Sequence, residues 1–320
     1  MAADGKPVKR AGAVALSLLS APLNVHLLKA LEDGPLPLIE LRRSVGSPPQ
    51  STMRVYSRTL VDLGTLERQR QAAFPGTVEY GSTEAGKALL GIGGVLESWL
   101  QEAPSGPIAL GSTASKSATK ALVEGWSTNI IRALAAKPLS LTDLNRLIPR
   151  ISYPSLERRL GALRLADLVE PHPGDGRGTP YRATPWLRRA IVPLSAGAWW
   201  ERRYLVDPPL VGRLDVEAAF LLAIPLIELD SGLSGRCRLA VEIQGGSSPV
   251  YAGVLIGVEE GKVVSCSSRL EGEADGWASG SAGGWMRRMS GRDGDLDVGG
   301  DAELVREVVD SIRKSSLVTI

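Results

Sequence analysis

The sequence predicts a multidomain chain: two mainly α units, each of three helices and a two-stranded hairpin, followed by an α+β unit on an antiparallel sheet. Three observations lead there. Residues 27–67 and 130–170 align without a gap at an offset of 103, with nine identities in 41 positions. In each copy apolar residues at helical spacing give way to short extended segments around Gly/Pro-rich tips. From Asp215 the pattern changes, and Arg236 to Ile243 (RCRLAVEI) alternates as a strand does. The expected boundaries are residues 1–102 and 117–210 for the two helical units, 103–116 for the linker and 211–320 for the last unit. At ~100–200 residues per domain, a chain of 320 residues has room for this division.

The repeat is visible residue by residue. LLKALEDGPLPLIELRRSV (Leu27 to Val45) aligns with IIRALAAKPLSLTDLNRLI (Ile130 to Ile148). The identities are Ala30/Ala133, Leu31/Leu134, Pro35/Pro138, Leu36/Leu139, Leu38/Leu141, Leu41/Leu144, Arg43/Arg146, Leu60/Leu163 and Glu67/Glu170. A Tyr-x-x-Thr element recurs at an offset of 101, as Tyr80 and Thr83 and as Tyr181 and Thr184. In the first copy Val25, Leu28 and Leu31 mark a helix that Gly34-Pro35 ends, and Leu38, Leu41 and Val45 mark a short second one. Pro48-Pro49, or Pro149 and Ser152-Tyr153-Pro154, then break the chain. The third helix runs from about Ser51 to Leu63, or from about Ser155 to Leu165. Strands open at Thr65-Leu66-Glu67-Arg68 and Leu168-Val169-Glu170, and the return strands end at Tyr80 and Tyr181. Three helices and a hairpin make a winged helix-turn-helix, whose third helix is the one offered to a DNA major groove.

Charge and composition narrow the function. Residues 1–210 carry 26 Lys and Arg against 18 Asp and Glu, whereas residues 211–320 carry 11 against 17. A basic front and an acidic back suggest that the front seeks a polyanion. Two cysteines and two histidines leave no Cys-rich zinc site and little for His-based chemistry. No apolar run reaches the ~18–20 residues of a membrane span, and no secretory leader is apparent. GIGG (Gly91 to Gly94) falls within a helix after the first hairpin, not after a strand, so it is no phosphate loop. No Ser/His/Asp or paired-carboxylate constellation is visible. The expectation is a cytoplasmic, non-enzymatic protein without metal, cofactor or membrane.

The second copy contains GWSTNIIRAL, then ISYPSLERRLGALRLADLVE, then YRAT. These residues resemble the HxlR-type winged-helix transcriptional regulators, and the first copy is similar but more divergent, with Leu23 where the second has Trp126. Such proteins normally carry one winged domain and dimerise through flanking helices. The resemblance therefore implies both halves of a dimer in one polypeptide, a monomer with an internal pseudo-dimer or a homodimer of such chains, with double-stranded DNA as partner. The flanking helices Ala88 to Gln101 and Ala190 to Tyr204, with Trp99, Trp199 and Trp200 near their ends, are the expected seam.

The candidate DNA-contacting residues follow. In the first copy they are Gln50, Ser51, Thr52, Arg54 and Arg58, with Arg68 and Arg70 in the wing. In the second they are Tyr153, Ser155, Arg158 and Arg159, with Arg177 and Arg182 in the wing. Arg contacts guanine bidentately or pairs with phosphate, and hydroxyls anchor phosphates. Pro154 stands where the family usually has a basic residue, Glu157 repels phosphate, and Val55-Tyr56 replaces the Arg158-Arg159 pair in the first copy. The two halves are thus expected to read an asymmetric operator.

In the last unit the expected strands are Arg236 to Ile243, Val250 to Val258, Lys262 to Ser268, Trp277 to Gly280 and Leu296 to Val298. The expected helices are Leu221 to Leu229 (interrupted by Pro225), Gly284 to Met289 and Ala302 to Ile312. ADGWASGSAGGWMRRMSG followed by GDLDVGGDAELVREVVDSI resembles the sterol-carrier-protein-like domain. That resemblance implies an apolar tunnel and a hydrophobic small-molecule effector, with Phe220, Leu226, Trp277 and Trp285 as candidate lining; the alternative is that these four fill a core. Cys237 and Cys266 either meet across neighbouring strands as a redox pair or stay reduced and buried. The leading expectation is a transcriptional regulator. An adaptor whose winged helices do not bind DNA is the alternative, and an apolar-ligand carrier is a third reading.

Overall fold

The computed structural model describes residues 10–70, 76–173, 178–243, 250–289 and 292–316. The first run of elements is α1 (Ala13–Leu19), α2 (Pro22–Ala30), β1 (Leu36–Pro37), α3 (Leu38–Ser44), α4 (Gln50–Asp62), β2 (Leu66–Arg70), β3 (Val78–Ser82) and α5 (Glu84–Gln101). The second is α6 (Thr113–Val123), α7 (Ser127–Ala136), α8 (Leu141–Leu147), α9 (Tyr153–Leu165), β4 (Val169–Pro171), β5 (Tyr181–Ala183), α10 (Pro185–Arg189) and α11 (Ile191–Tyr204). α4 and α9 both have 13 residues, and each starts 103 positions from the other. α9 begins two residues before the sequence-based limit, because Pro154 sits in its first turn, where a missing N–H costs nothing.

The Tyr-x-x-Thr element has a local cause in both runs. Thr83 accepts from the Gly86 amide and caps α5, and Thr184 accepts from the Leu187 amide and caps α10. Each hydroxyl also donates back to the turn after the third helix: Thr83 to Gly64 and Thr65 oxygens, Thr184 to Asp167 and Leu168 oxygens. That turn needs a left-handed residue, filled by Gly64 (φ 70°) in one run and by Asp167 (φ 53°) in the other. One pairing escaped the apolar pattern. Leu36 of β1 pairs with Tyr80, and Leu139 makes the matching isolated bridge to Tyr181, which opens its strand instead of ending it.

α5 and α11 pack against each other at the seam. The Trp99 indole N–H donates across it to the Trp186 oxygen at 3.0 Å, and the Trp200 indole N–H donates to the Ala85 oxygen at 2.8 Å. Because 85 and 186, like 99 and 200, differ by 101, these two bonds are one kind of contact made twice with the partners exchanged. The symmetry is broken where Trp186 replaces Ala85. Its ring stacks on Trp99 at 4.3 Å and 7°, and its own N–H returns a bond to the Trp99 oxygen at 2.8 Å. α1 lies along α11, where Gly12 (φ 85°) and Gly197 allow close approach: a Cβ on Gly12 would sit 2.6 Å from the Leu194 oxygen.

The last part comprises α12 (Arg213–Ala223), a 3-10 turn (Ile224–Leu226), β6 (Gly235–Ile243), β7 (Val250–Glu259), β8 (Lys262–Ser267), β9 (Gly276–Gly280), α13 (Ala282–Met289), β10 (Asp297–Gly300) and α14 (Ala302–Ser316). The apolar run at Leu221 thus belongs to a helix that starts earlier, and Pro225 falls in the 3-10 turn that ends it. The sheet order is β10-β9-β6-β7-β8. It is not purely antiparallel, as expected, because β9 pairs parallel to β6 (Cys237 opposite Gly276), while every other pair is antiparallel. α12, α13 and α14 cover the face carrying Leu239, Val241, Val254, Ile256 and Ala278, all buried. α12 also docks on α7, where Arg132 and Glu217 form an ion pair of 3.0 Å, and α14 touches α11.

The cysteines are not on neighbouring strands. β7 lies between them, with Ile256 opposite both Cys237 and Cys266. Two strand spacings put them roughly 9–10 Å apart, beyond the ~7 Å that a disulfide spans. Burial pushes the Cys237 thiol up to about 12 and the Cys266 thiol up to about 11, so both are poor nucleophiles. The redox-pair reading is therefore set aside.

Candidate nucleic-acid interface

The third helices are amphipathic for a packing reason that also fixes what they show outward. α4 buries Met53, Ser57 and Leu60, leaving Gln50, Ser51, Arg54, Val55 and Arg58 exposed and Thr52 half-buried. α9 buries Leu156, Leu160 and Leu163, leaving Tyr153, Glu157 and Arg158 exposed. Among the described residues Arg54 and Arg158 have no carboxylate within 4.0 Å, so both guanidiniums are available to a ligand. Arg58 reaches Asp62 on its own helix at 3.6 Å, with both side chains well exposed, which holds it weakly. Arg68 and Arg70 lie exposed on β2, opposite Tyr80 and Val78 of β3.

Three expected contacts are placed differently, and a fourth is not described. Arg159 turns back to Glu124, 3.4 Å away just after α6, and is only 22% exposed. It ties the third helix to the α6–α7 junction instead of facing outward. Arg182 pairs with Glu170 across the hairpin at 2.7 Å, as cross-strand neighbours do. Ser155 is half-buried, and its hydroxyl is engaged with Ser152 at 2.9 Å beside the start of α9. Arg177 lies outside the described residues.

The structure adds cations that helix periodicity alone did not single out. Arg43 at the end of α3 and Arg150 before α9 are exposed without a carboxylate partner among the described residues. Arg164 of α9 lies over the Tyr181 ring at 5.1 Å, bridging helix and wing. The Arg43/Arg146 identity was the available signal for α3. Yet Arg146 is held by Asp143 at 3.7 Å, a carboxylate kept below its usual range chiefly by the hydrogen bonds from Ser140. Val55, 63% exposed where the second copy has Arg158, is the one large apolar side chain on the outer face of α4.

The four candidate effector residues do not line a common space. Phe220 and Trp285 are buried and meet edge to face at 4.7 Å, with the Trp285 N–H donating to the Ala240 oxygen. Trp277 projects from the opposite face of the sheet, 37% exposed, beside Gly299, and Leu226 sits in the 3-10 turn. A filled core accounts for the two buried rings.

Comparison with known proteins bears on the first run of elements. A family model described as HxlR-like helix-turn-helix matches residues 19–105, the copy that sequence reading took to be the more divergent. Diamide-treated YodB from B. subtilis is similar, at 27% identity over 28% of this chain and 88% of that one, with a TM-score of 0.27. The conserved hypothetical protein TT1886 from Thermus thermophilus, described as possibly a sterol carrier protein, is 18% identical over 35% of this chain and 92% of that one, with a TM-score of 0.25. A search of the curated proteins finds no significant match. The stretch from α2 to the end of α5, which holds Gln50, Arg54, Arg68 and Arg70, is thus the part similar to the HxlR-like helix-turn-helix.

Proposed function

We propose that the chain is a DNA-binding transcriptional regulator whose two winged units act on one operator as an internal pseudo-dimer. The observation that carries this is the exchanged pair of indole-to-carbonyl bonds across α5 and α11. An interface of that symmetry gives two equivalent third helices a fixed relation, which is what a two-half-site operator requires. The third part packs on α7 and α11, so any force on it reaches both the seam and the second unit.

The halves are unequal, as an asymmetric operator requires. α4 shows Gln50, Arg54 and an exposed Val55, a set suited to adenine, guanine and a thymine methyl. α9 shows Glu157 beside Arg158, and its second Arg is spent on Glu124. The first unit is therefore the stronger half. Arg54→Ala is expected to weaken operator binding by about tenfold or more, in line with ~1–3 kcal/mol for a base-contacting Arg, and Arg159→Ala by much less. Footprinting should show uneven protection of the two half-sites, with Arg54→Ala abolishing the stronger one. Equal protection of both halves, or an equal loss in the two variants, would contradict this assignment.

A further inference from the structure

A cleft of about 180 Å³ opens where the end of α11 meets α13, lined by Trp199, Arg202, Arg203, Met286, Arg287 and Arg292. Four of these six side chains are guanidinium groups, in the acidic part of the chain and at its border. One carboxylate answers them: Asp295, fully exposed, at 3.1 Å from Arg287. Among the described residues Arg202 and Arg292 have no carboxylate within 4.0 Å. Arg203 leans toward the Tyr204 ring at 6.0 Å. Glu201, next to Arg202 in sequence, does not help, because its carboxylate turns to the amides that open α1. The cleft thus concentrates positive charge against one exposed counter-charge, Asp295, and a bound anion relieves the remaining repulsion.

The other walls define what the anion is attached to. Trp199 is half-buried and held edge-on to Tyr204 at 6.1 Å, presenting indole surface beside the guanidinium groups. Met286 is buried at the base and belongs to a small apolar cluster with Ala11 and Ala198, with Val211 packed against it. An indole wall and a thioether floor suit a flat ring, and the guanidinium forks suit phosphate or carboxylate oxygens.

We propose that this cleft is a binding site for a small aryl anion, a single ring bearing a phosphate or carboxylate, lodged between α11 and the C-terminal part. The ring packs on Trp199 and the anionic group engages Arg202, Arg287 and Arg292. Because α11 is also the seam helix, a ligand that favours one disposition of the C-terminal part against α11 biases the winged pair as well.

The test is isothermal titration of the full chain with phenyl phosphate, benzoate and inorganic phosphate, without DNA, so that it does not depend on the regulator reading. One saturable site is expected, with phenyl phosphate at least tenfold tighter than inorganic phosphate. Benzoate against phenyl phosphate separates the carboxylate from the phosphate source. Arg202→Ala and Arg292→Ala should each weaken binding at least tenfold, Trp199→Ala should erase the preference for the ring, and Arg306→Ala, exposed on α14, should change nothing. Circular dichroism of each variant checks that it is folded. Absence of saturable binding by every probe, or binding indifferent to Arg202→Ala and Arg292→Ala in folded variants, overturns the proposal. So does a loss of DNA affinity in those variants with no probe bound, which assigns the cleft to DNA phosphates.

Discussion

Trp99→Ala or Trp200→Ala is expected to destabilise the chain by about 3–5 kcal/mol, the cost of emptying a buried Trp site. Trp200 is fully buried and Trp99 nearly so, and each ends in a hydrogen bond to the other half. Removing either indole opens a cavity at the seam and deletes a hydrogen bond to the opposite unit. Trp99→Phe separates the two contributions. It keeps an aromatic ring against Trp186 but loses the N–H, and about 1 kcal/mol is expected from that loss. Trp277→Ala, on the outer face of the sheet, is the control and should cost far less. Urea denaturation followed by circular dichroism measures all four. Losses below ~1 kcal/mol for both seam variants would mean that α5 and α11 do not hold the halves together.

Glu201→Ala comes next, at roughly 3 kcal/mol. The Glu201 carboxylate is buried in α11 and accepts the Gly12, Val14 and Ala15 amides at 2.7, 2.6 and 3.1 Å, serving as the N-terminal cap that α1 lacks in its own sequence. Glu201→Gln is expected to cost about 2 kcal/mol, because one of its ends is an NH2 that faces amide donors. The pH dependence carries a sign. Burial raises the Glu201 carboxyl above its usual value, more than the three amides offset, and the Asp215 charge adds to the rise. The folded chain therefore binds a proton that the unfolded chain releases. Its contribution is complete below the ordinary carboxylate range and is lost as pH rises through the raised value. Asp215, also raised by burial and 4.0 Å from Arg10, acts in the same direction. The fall in stability with rising pH should thus shrink in Glu201→Gln and not vanish. An unchanged pH profile would show that Glu201 does not hold that proton.

The recurring order of helices and hairpin, and each third helix to within two residues, were legible because they rest on apolar spacing and on Pro, Gly and Thr at fixed positions. What periodicity does not encode was missed. The β1 and Leu139 pairings are two-residue and one-residue contacts without a pattern of their own. The parallel β6–β9 pair depends on a crossover by way of β7 and β8, which strand composition does not reveal. Of the candidate contacts, Gln50, Arg54, Arg58, Arg68, Arg70, Tyr153 and Arg158 lie exposed, since a helix or hairpin fixes which side faces out. Arg159 and Arg182 are engaged by Glu124 and Glu170, whose positions are set by tertiary and cross-strand placement that periodicity does not encode. The same reason hid the basic cleft, whose residues come from two elements far apart in the chain.

Fluorescence anisotropy of the full chain against its own upstream DNA, with non-specific competitor present and salt varied from about 50 to 200 mM, tests the regulator reading most directly. Binding is expected to resist competitor and to fall by orders of magnitude across that range, with Arg54→Ala weaker throughout. No binding at the lowest salt, or binding that competitor removes entirely, would contradict that reading and leave an adaptor with winged helices that do not read DNA.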